Sequence, residues 1–129
     1  MIDVDDGHED KVRTFLTALE GIPDHDRVLS LLADDVRYHV SAWKEAVVGP
    51  TAVRAELERQ ASIFSDFHAD IVNAVASDRL VITERVDSFK IAGKPITLHW
   101  LGVFEFDADD KISGIRDYYD MQELESQLS

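Results

Sequence analysis

The sequence contains no cysteine, which excludes disulfides, thiolate metal sites and cysteine nucleophiles and fits a reducing compartment. It also lacks any apolar run approaching the roughly 18 residues that a membrane-spanning helix needs. Its opening residues, Met-Ile-Asp-Val-Asp-Asp, are acidic where a signal peptide is basic, and no apolar stretch follows, so a cytoplasmic protein is expected. Basic residues are scarce: 13 Lys and Arg stand against 26 Asp and Glu, a formal net charge of −13. Nucleic acid and anionic membranes would be repelled, so neither is expected as a partner. A neutral, lipophilic small molecule suits that field better, and the charge also serves solubility. There is no Gly-x-Ser-x-Gly nucleophile elbow, no His-Glu-x-x-His and no glycine-rich phosphate cradle. The histidines, among them His99 on an outward strand face, are scattered. No metal, no nucleotide cofactor and no covalent nucleophile are expected.

What is present suits one folded unit. The 129 residues are 45% hydrophobic and 30% charged, enough for a single core and a soluble surface, so one domain spanning 1–129 is expected. Asp5 and Asp6 precede Val12, Phe15, Leu16 and Leu19 at helical spacing, with Gly21 as a stop. After Pro23, residues Val28, Leu31 and Leu32 predict a second helix ending near Ala33. Val36, Tyr38 and Val40 then alternate as a short strand. Residues 41 to 48 read as a loop, and Gly49-Pro50 opens a third helix with the stripe Val53, Leu57, Ala61 and Phe64. The second half reads as strands over Phe67 to Val75, 80 to 90, 96 to 106 and 111 to 119, joined by short turns, with a terminal helix over Met121 to Leu128. Tight turns favour antiparallel pairing, and helices gathered on one face of such a sheet define an α+β domain.

The strand over 80 to 90 carries the chemistry. Alternation puts Val81, Thr83, Arg85, Asp87 and Phe89 on one face, so an arginine and an aspartate stand together between apolar neighbours. Alone, they fit a solvated ion pair as well as a buried one. The last strand adds Asp117 between Ile115 and Tyr119, and Tyr38 joins from the first strand, which favours a site. Two carboxylates sharing an apolar pocket cannot both ionise cheaply, so the set offers a proton donor and a proton acceptor, with the arginine fork able to bond both. Such a pair serves epoxide opening by water, or isomerisation and cyclisation by proton abstraction.

At Thr83-Glu84-Arg85-Val86-Asp87, Leu101-Gly102-Val103-Phe104 and Lys111-Ile112 leading to Arg116-Asp117-Tyr118-Tyr119-Asp120, the chain resembles the limonene epoxide hydrolases, which share the ketosteroid-isomerase-like cone fold with the SnoaL-like cyclases. The resemblance implies a curved, mixed, mostly antiparallel sheet packed with the three helices of the N-terminal half into a cone, as in nuclear-transport-factor-2-like proteins. It implies Asp87 as general acid on the epoxide oxygen, Asp117 as general base on water, Arg85 as the bridge and Tyr38 as a water ligand. It further implies Leu98 and Trp100 as pocket lining, a small lipophilic epoxide as substrate, no cofactor, and a homodimer formed through the sheet. The family has an asparagine two residues after the tyrosine, where this chain has Val40. Asn73 either replaces that contact or is a hydrogen-bonded core residue. Val40 favours the alternative, a cyclase or isomerase using the same residues, and the fold also hosts non-catalytic ligand-binding domains.

Overall fold

The first helix forms where apolar residues recur at helical spacing. In the computed structural model, which describes residues 7–128, α1 runs His8–Ala18 and buries Val12, Phe15 and Leu16. Asp5 and Asp6, expected near its start, lie outside the described residues. The second helix, α2, covers only His25–Leu29, capped by the Asp24 carboxylate, which accepts from the Arg27 backbone N–H at 3.1 Å. It does not reach Ala33. The Leu31 carbonyl instead accepts from the Ile112 N–H at 2.9 Å, and Leu32 begins strand β1 (Leu32–His39). Pairing with a distant strand thus claims a stretch whose apolar residues fit a helix equally well.

The expected loop holds a short strand, β2 (Val47–Val48), before α3 (Pro50–Ile63) opens with proline in its first turn. Val53 and Leu57 are buried as expected, but Ala61 is exposed and Phe64 already belongs to the next strand. Gln60 continues the inward stripe instead, reaching the buried Tyr38. Strands β3 (Phe64–Ala76), β4 (Leu80–Ile91), β5 (Lys94–Phe106) and β6 (Ile112–Tyr119) follow, then α4 (Met121–Leu128).

The strands form one six-stranded sheet in the order β2-β1-β6-β5-β4-β3. Every neighbouring pair is antiparallel except β1 with β6, which is parallel. The fold is therefore the α+β arrangement expected, with a curved and mostly antiparallel sheet. Ala92 and Gly93, at φ of 50° and 80°, make the tight β4–β5 hairpin, whose twist suits left-handed backbone at both positions. Breaks in register elsewhere bend the sheet. One of them changes a face assignment: Ile71 pairs with Arg85 and Asn73 with Glu84, so Val72 is an extra residue in β3. Beyond it Asn73 and Val75 are exposed, while Ala74 and Ala76 turn inward.

The main core lies between α1, α2, α3 and the sheet, where Val12, Phe15, Val28, Val53, Phe104 and Ile115 pack. A second cluster of Phe89, Ile96 and Leu98 sits further along the sheet, with Trp100 and Leu124 against it. On β4, Val81 belongs to the first cluster and Phe89 to the second, and Thr83, Arg85 and Asp87 lie between them. Helix α4 covers the edge that β5 exposes once β6 has ended at Tyr119. Glu123 accepts from the His99 N–H at 2.9 Å, and the Gln127 amide bonds both the N–H and the C=O of Thr97, at 2.9 and 2.7 Å. Among the described residues, no helix is long and apolar enough to cross a membrane.

Candidate active site

Register brings the polar residues of three strands onto one inward face. Across β4, β5 and β6 one row reads Thr83, Gly102, Asp117 and the next Arg85, Trp100, Tyr119, while Asp87 stands opposite Leu98. Strand β1 lies on the far side of β6, with Tyr38 level with Ile115. Arg85, Asp87, Asp117 and Tyr38 are 4%, 1%, 7% and 5% exposed. The sequence left open whether Arg85 and Asp87 were a solvated pair, and the structure buries them. Charges so placed persist only when paired, because desolvation costs several kcal/mol each, roughly.

The pairing differs from the bridge expected of Arg85. Its Nε and Nη2 donate to the two oxygens of Asp87 at 2.9 and 2.8 Å, and Nη1 donates to Thr83 Oγ1 at 3.2 Å. Residues i and i+2 on a strand share a face, so Asp87 satisfies the fork before Asp117 can. Gly102 makes room for this pair: a Cβ there would lie 2.7 Å from Arg85 Nη1 and 3.2 Å from Thr83 Oγ1.

Asp117 is held from the helical side instead. The Tyr38 hydroxyl donates to its Oδ2 at 3.1 Å and accepts from the Gln60 amide at 3.2 Å. That same amide donates to Glu56 at 2.8 Å, and Arg59 binds Glu56 through both carboxylate oxygens at 2.9 and 2.7 Å. Because Gln60 occupies the tyrosine's lone pair, the phenolic proton is directed at Asp117. Gln60 was not among the residues expected at the site. A signal exists nonetheless: a glutamine seven residues after Val53 and three after Leu57 stands on the apolar stripe of its helix.

Burial pushes the Asp117 carboxyl up from 3.8 to about 6, against the opposing pull of the Arg85 charge, the Trp100 indole and the Tyr38 hydroxyl, with the Asp87 charge adding to the rise. The Tyr38 phenol is driven well above its ordinary value, first by burial and then by the Asp117 charge, so it stays a neutral donor. Trp100 stacks on Tyr119 with centroids 4.3 Å apart and planes 8° apart, and Tyr119 shares a 2.9 Å hydrogen bond with Ser41. A cavity of about 320 Å³ opens at the rim beside Asp117, Tyr119 and Ser41, with the exposed Trp43 and Met121 on its lip. A larger depression of about 590 Å³ between α1 and α2 is lined by Asp10, Arg13, Glu20 and Arg27, away from the acids.

The remaining expected residues separate. Leu98 is buried and Trp100 half-buried in the second apolar cluster, on the inward face as anticipated. Val40 follows the end of β1 and packs against the main core. Asn73 does not reach the site: it is exposed on the outer face and donates to Glu84 at 2.7 Å, because the extra residue Val72 reverses the alternation. His99 is outside, on Glu123 at 2.6 Å. Among the described residues, no three of His, Asp and Glu gather as a metal-binding group.

Residues 12–115 match the profile of the SnoaL-like domain, which takes in Tyr38, Arg85 and Asp87 and stops just short of Asp117. The chain belongs to the SnoaL-like domain family. Solved structures place this SnoaL-like domain in the expected cone fold. One similar structure is an LEH-like epoxide hydrolase of M. tuberculosis, 29% identical, matching 95% of this chain and 90% of its own with a TM-score of 0.81. Another is a candidate polyketide cyclase of Xanthomonas campestris pv. campestris, 22% identical, with 97% and 98% of the two chains covered and a TM-score of 0.85. A candidate SnoaL-like polyketide cyclase of Shewanella denitrificans is 17% identical over 94% and 96%, with a TM-score of 0.83. These last two bear on the fold alone.

Proposed function

We propose that this SnoaL-like domain is an acid–base enzyme that adds water to a small lipophilic epoxide and releases a vicinal diol. The observation that carries the reading is a buried carboxyl, Asp117, that titrates near neutrality beside a second carboxyl held by Arg85. Likeness to an LEH-like epoxide hydrolase supports it. The active form holds one proton on the two carboxyls. With that proton on Asp87, Asp117 is the base: it takes a proton from water as the water oxygen bonds to an epoxide carbon, the carbon–oxygen bond breaks, and Asp87 protonates the departing oxygen. Transfer of the proton from Asp117 back to Asp87 resets the pair.

The test is diol formation from a panel of lipophilic epoxides in oxygen-18 water by the parent and Asp117→Asn. Labelled diol from the parent, lost in a folded variant, is the expected result. Unlabelled or absent diol across the panel counts against hydrolysis.

One observation favours a second reading. Both oxygens of Asp87 accept from Arg85 while Asp117 has no such ion pair among the described residues, which suits a cyclase or isomerase working through Asp117 alone. The pH profile separates the two. Hydrolysis needs the shared proton and declines as pH rises through about 6, whereas a lone base needs Asp117 ionised and gains over the same interval.

We further propose that the outer sheet face pairs two copies of the chain, since Val72, Val75, Leu101 and Tyr118 are exposed there. Sedimentation of the parent as a dimer and of Leu101→Glu as a monomer is expected. A monomeric parent counts against it.

A further inference from the structure

The stack with Tyr119 fixes the plane of the Trp100 indole, and with it the direction of its N–H. Arg85 approaches the same ring, its guanidinium carbon 5.9 Å from the centroid. The Trp100 Nε1 atom is buried and close enough to Asp117 to help hold its carboxyl down, yet it meets no acceptor in full hydrogen-bonding geometry among the described residues. Such a donor costs about 1–3 kcal/mol, and native chains pair nearly all of them. Trp100 lies opposite Tyr119 and Gly102 opposite Asp117, so Trp100 and Asp117 are diagonal neighbours on one face, a separation of roughly 7–8 Å that an aromatic side chain spans. Asp117 accepts from Tyr38 through Oδ2, and the Trp100 N–H is directed toward the same carboxyl without closing a hydrogen bond of full geometry, so one oxygen between them completes both. The polar substitute that alternation offered is not available: Val40, at the position of the family's asparagine, is apolar and packed, and Asn73 is engaged outside.

We infer that the Trp100 indole N–H binds the oxygen that reacts at Asp117. An N–H requires a lone pair and a carboxylate requires a proton, so the ligand that bridges them is a hydroxyl oxygen: water, or a hydroxyl of the substrate itself. The stack on Tyr119, anchored through Ser41, holds the indole while that oxygen exchanges. This rests on the acid–base reading of Asp117 and assigns the second anchor of its partner.

The test follows the Trp100 indole proton by nuclear magnetic resonance in nitrogen-15-labelled protein, assigned with Trp43→Phe, since the chain has only 2 tryptophans. Cross-relaxation between that proton and water is expected. If it persists when cyclohexene oxide is added to the inactive Asp117→Asn, the bridging oxygen is water; if added cyclohexanol displaces it and shifts the resonance, a substrate hydroxyl takes the place. An indole proton with no water contact and no response to either compound would overturn the inference. So would Trp100→Phe, which keeps a stacking ring, if it raised the apparent pKa of Asp117 without any such contact, because the N–H would then belong to the carboxylate. On an epoxide that the parent hydrolyses, Trp100→Phe is expected to lower kcat about 10–100-fold. Parent turnover with an unchanged Trp100→Phe sinks the inference alone. A parent inactive on every epoxide sinks the hydrolase reading, and the indole proton still decides the role of Trp100.

Discussion

Asp117 is kept at a cost, and that cost has a measurable sign. Unfolded, its carboxyl titrates near 3.8; folded, near 6. Between those values the native chain binds more protons than the unfolded one, so this residue makes stability fall as pH rises through that window, with the full penalty present above about 6. The penalty is on the order of 2–3 kcal/mol at neutral pH. Asp117→Asn is therefore expected to be more stable than the parent by about that amount at pH 7 and nearly equal to it at pH 4, as urea unfolding at the two pH values would show. Equal stability at both would mean that Asp117 is not desolvated. Tyr38→Phe removes a bond that favours the ionised Asp117, so the midpoint of the activity profile should move to higher pH, with activity down about tenfold to a hundredfold. A midpoint moving to lower pH would contradict that account. The identity of these residues was legible because a strand's period of two sets Arg85, Asp87 and Asp117 on one face each. Which carboxylate the arginine would hold was not, since that depends on distances across strands.

At the level of elements, β4 and β5 set the site and α3 orients it. Gly102→Ala would drive a methyl group against Arg85 Nη1, so the fork must leave Asp87 or the strands must part. A loss of about 1–3 kcal/mol in chemical denaturation is expected, together with loss of turnover. Retention of full activity would show that the Arg85–Asp87 contact is dispensable. Gln60→Leu keeps the helix stripe apolar but frees the Tyr38 lone pair, and it should weaken turnover while leaving stability within about 1 kcal/mol. Periodicity defines an element well where it runs long, as over β4, and poorly where two periods compete. Leu31 and Leu32 fit a helix until Ile112 pairs beside them, and Asn73 fits an inward position until Val72 is inserted ahead of it. Ala61 and Gln60 both follow Leu57 at helical spacing, and contact with Tyr38 decides between them.

Across the whole molecule, a net charge of −13 surrounds a site that is itself buried. Salt should act on the two differently. Screening of the surface relieves self-repulsion, so Tm is expected to rise as sodium chloride goes from about 0.05 to 0.5 M, while kcat/KM for a neutral epoxide changes by less than about twofold. A strong salt dependence of kcat/KM would point to a charged substrate. By itself, the sequence determined the class of the fold and which side chains share each face of β4, because alternation and side-chain chemistry are local properties. Only the tertiary structure decided that the Arg85 and Asp87 face is buried, that Asp87 holds the arginine, that Tyr38 and Gln60 hold Asp117, and that the buried Trp100 N–H lies beside Asp117. Those outcomes depend on register between distant strands and on one inserted residue, Val72, which set distances that no local pattern encodes.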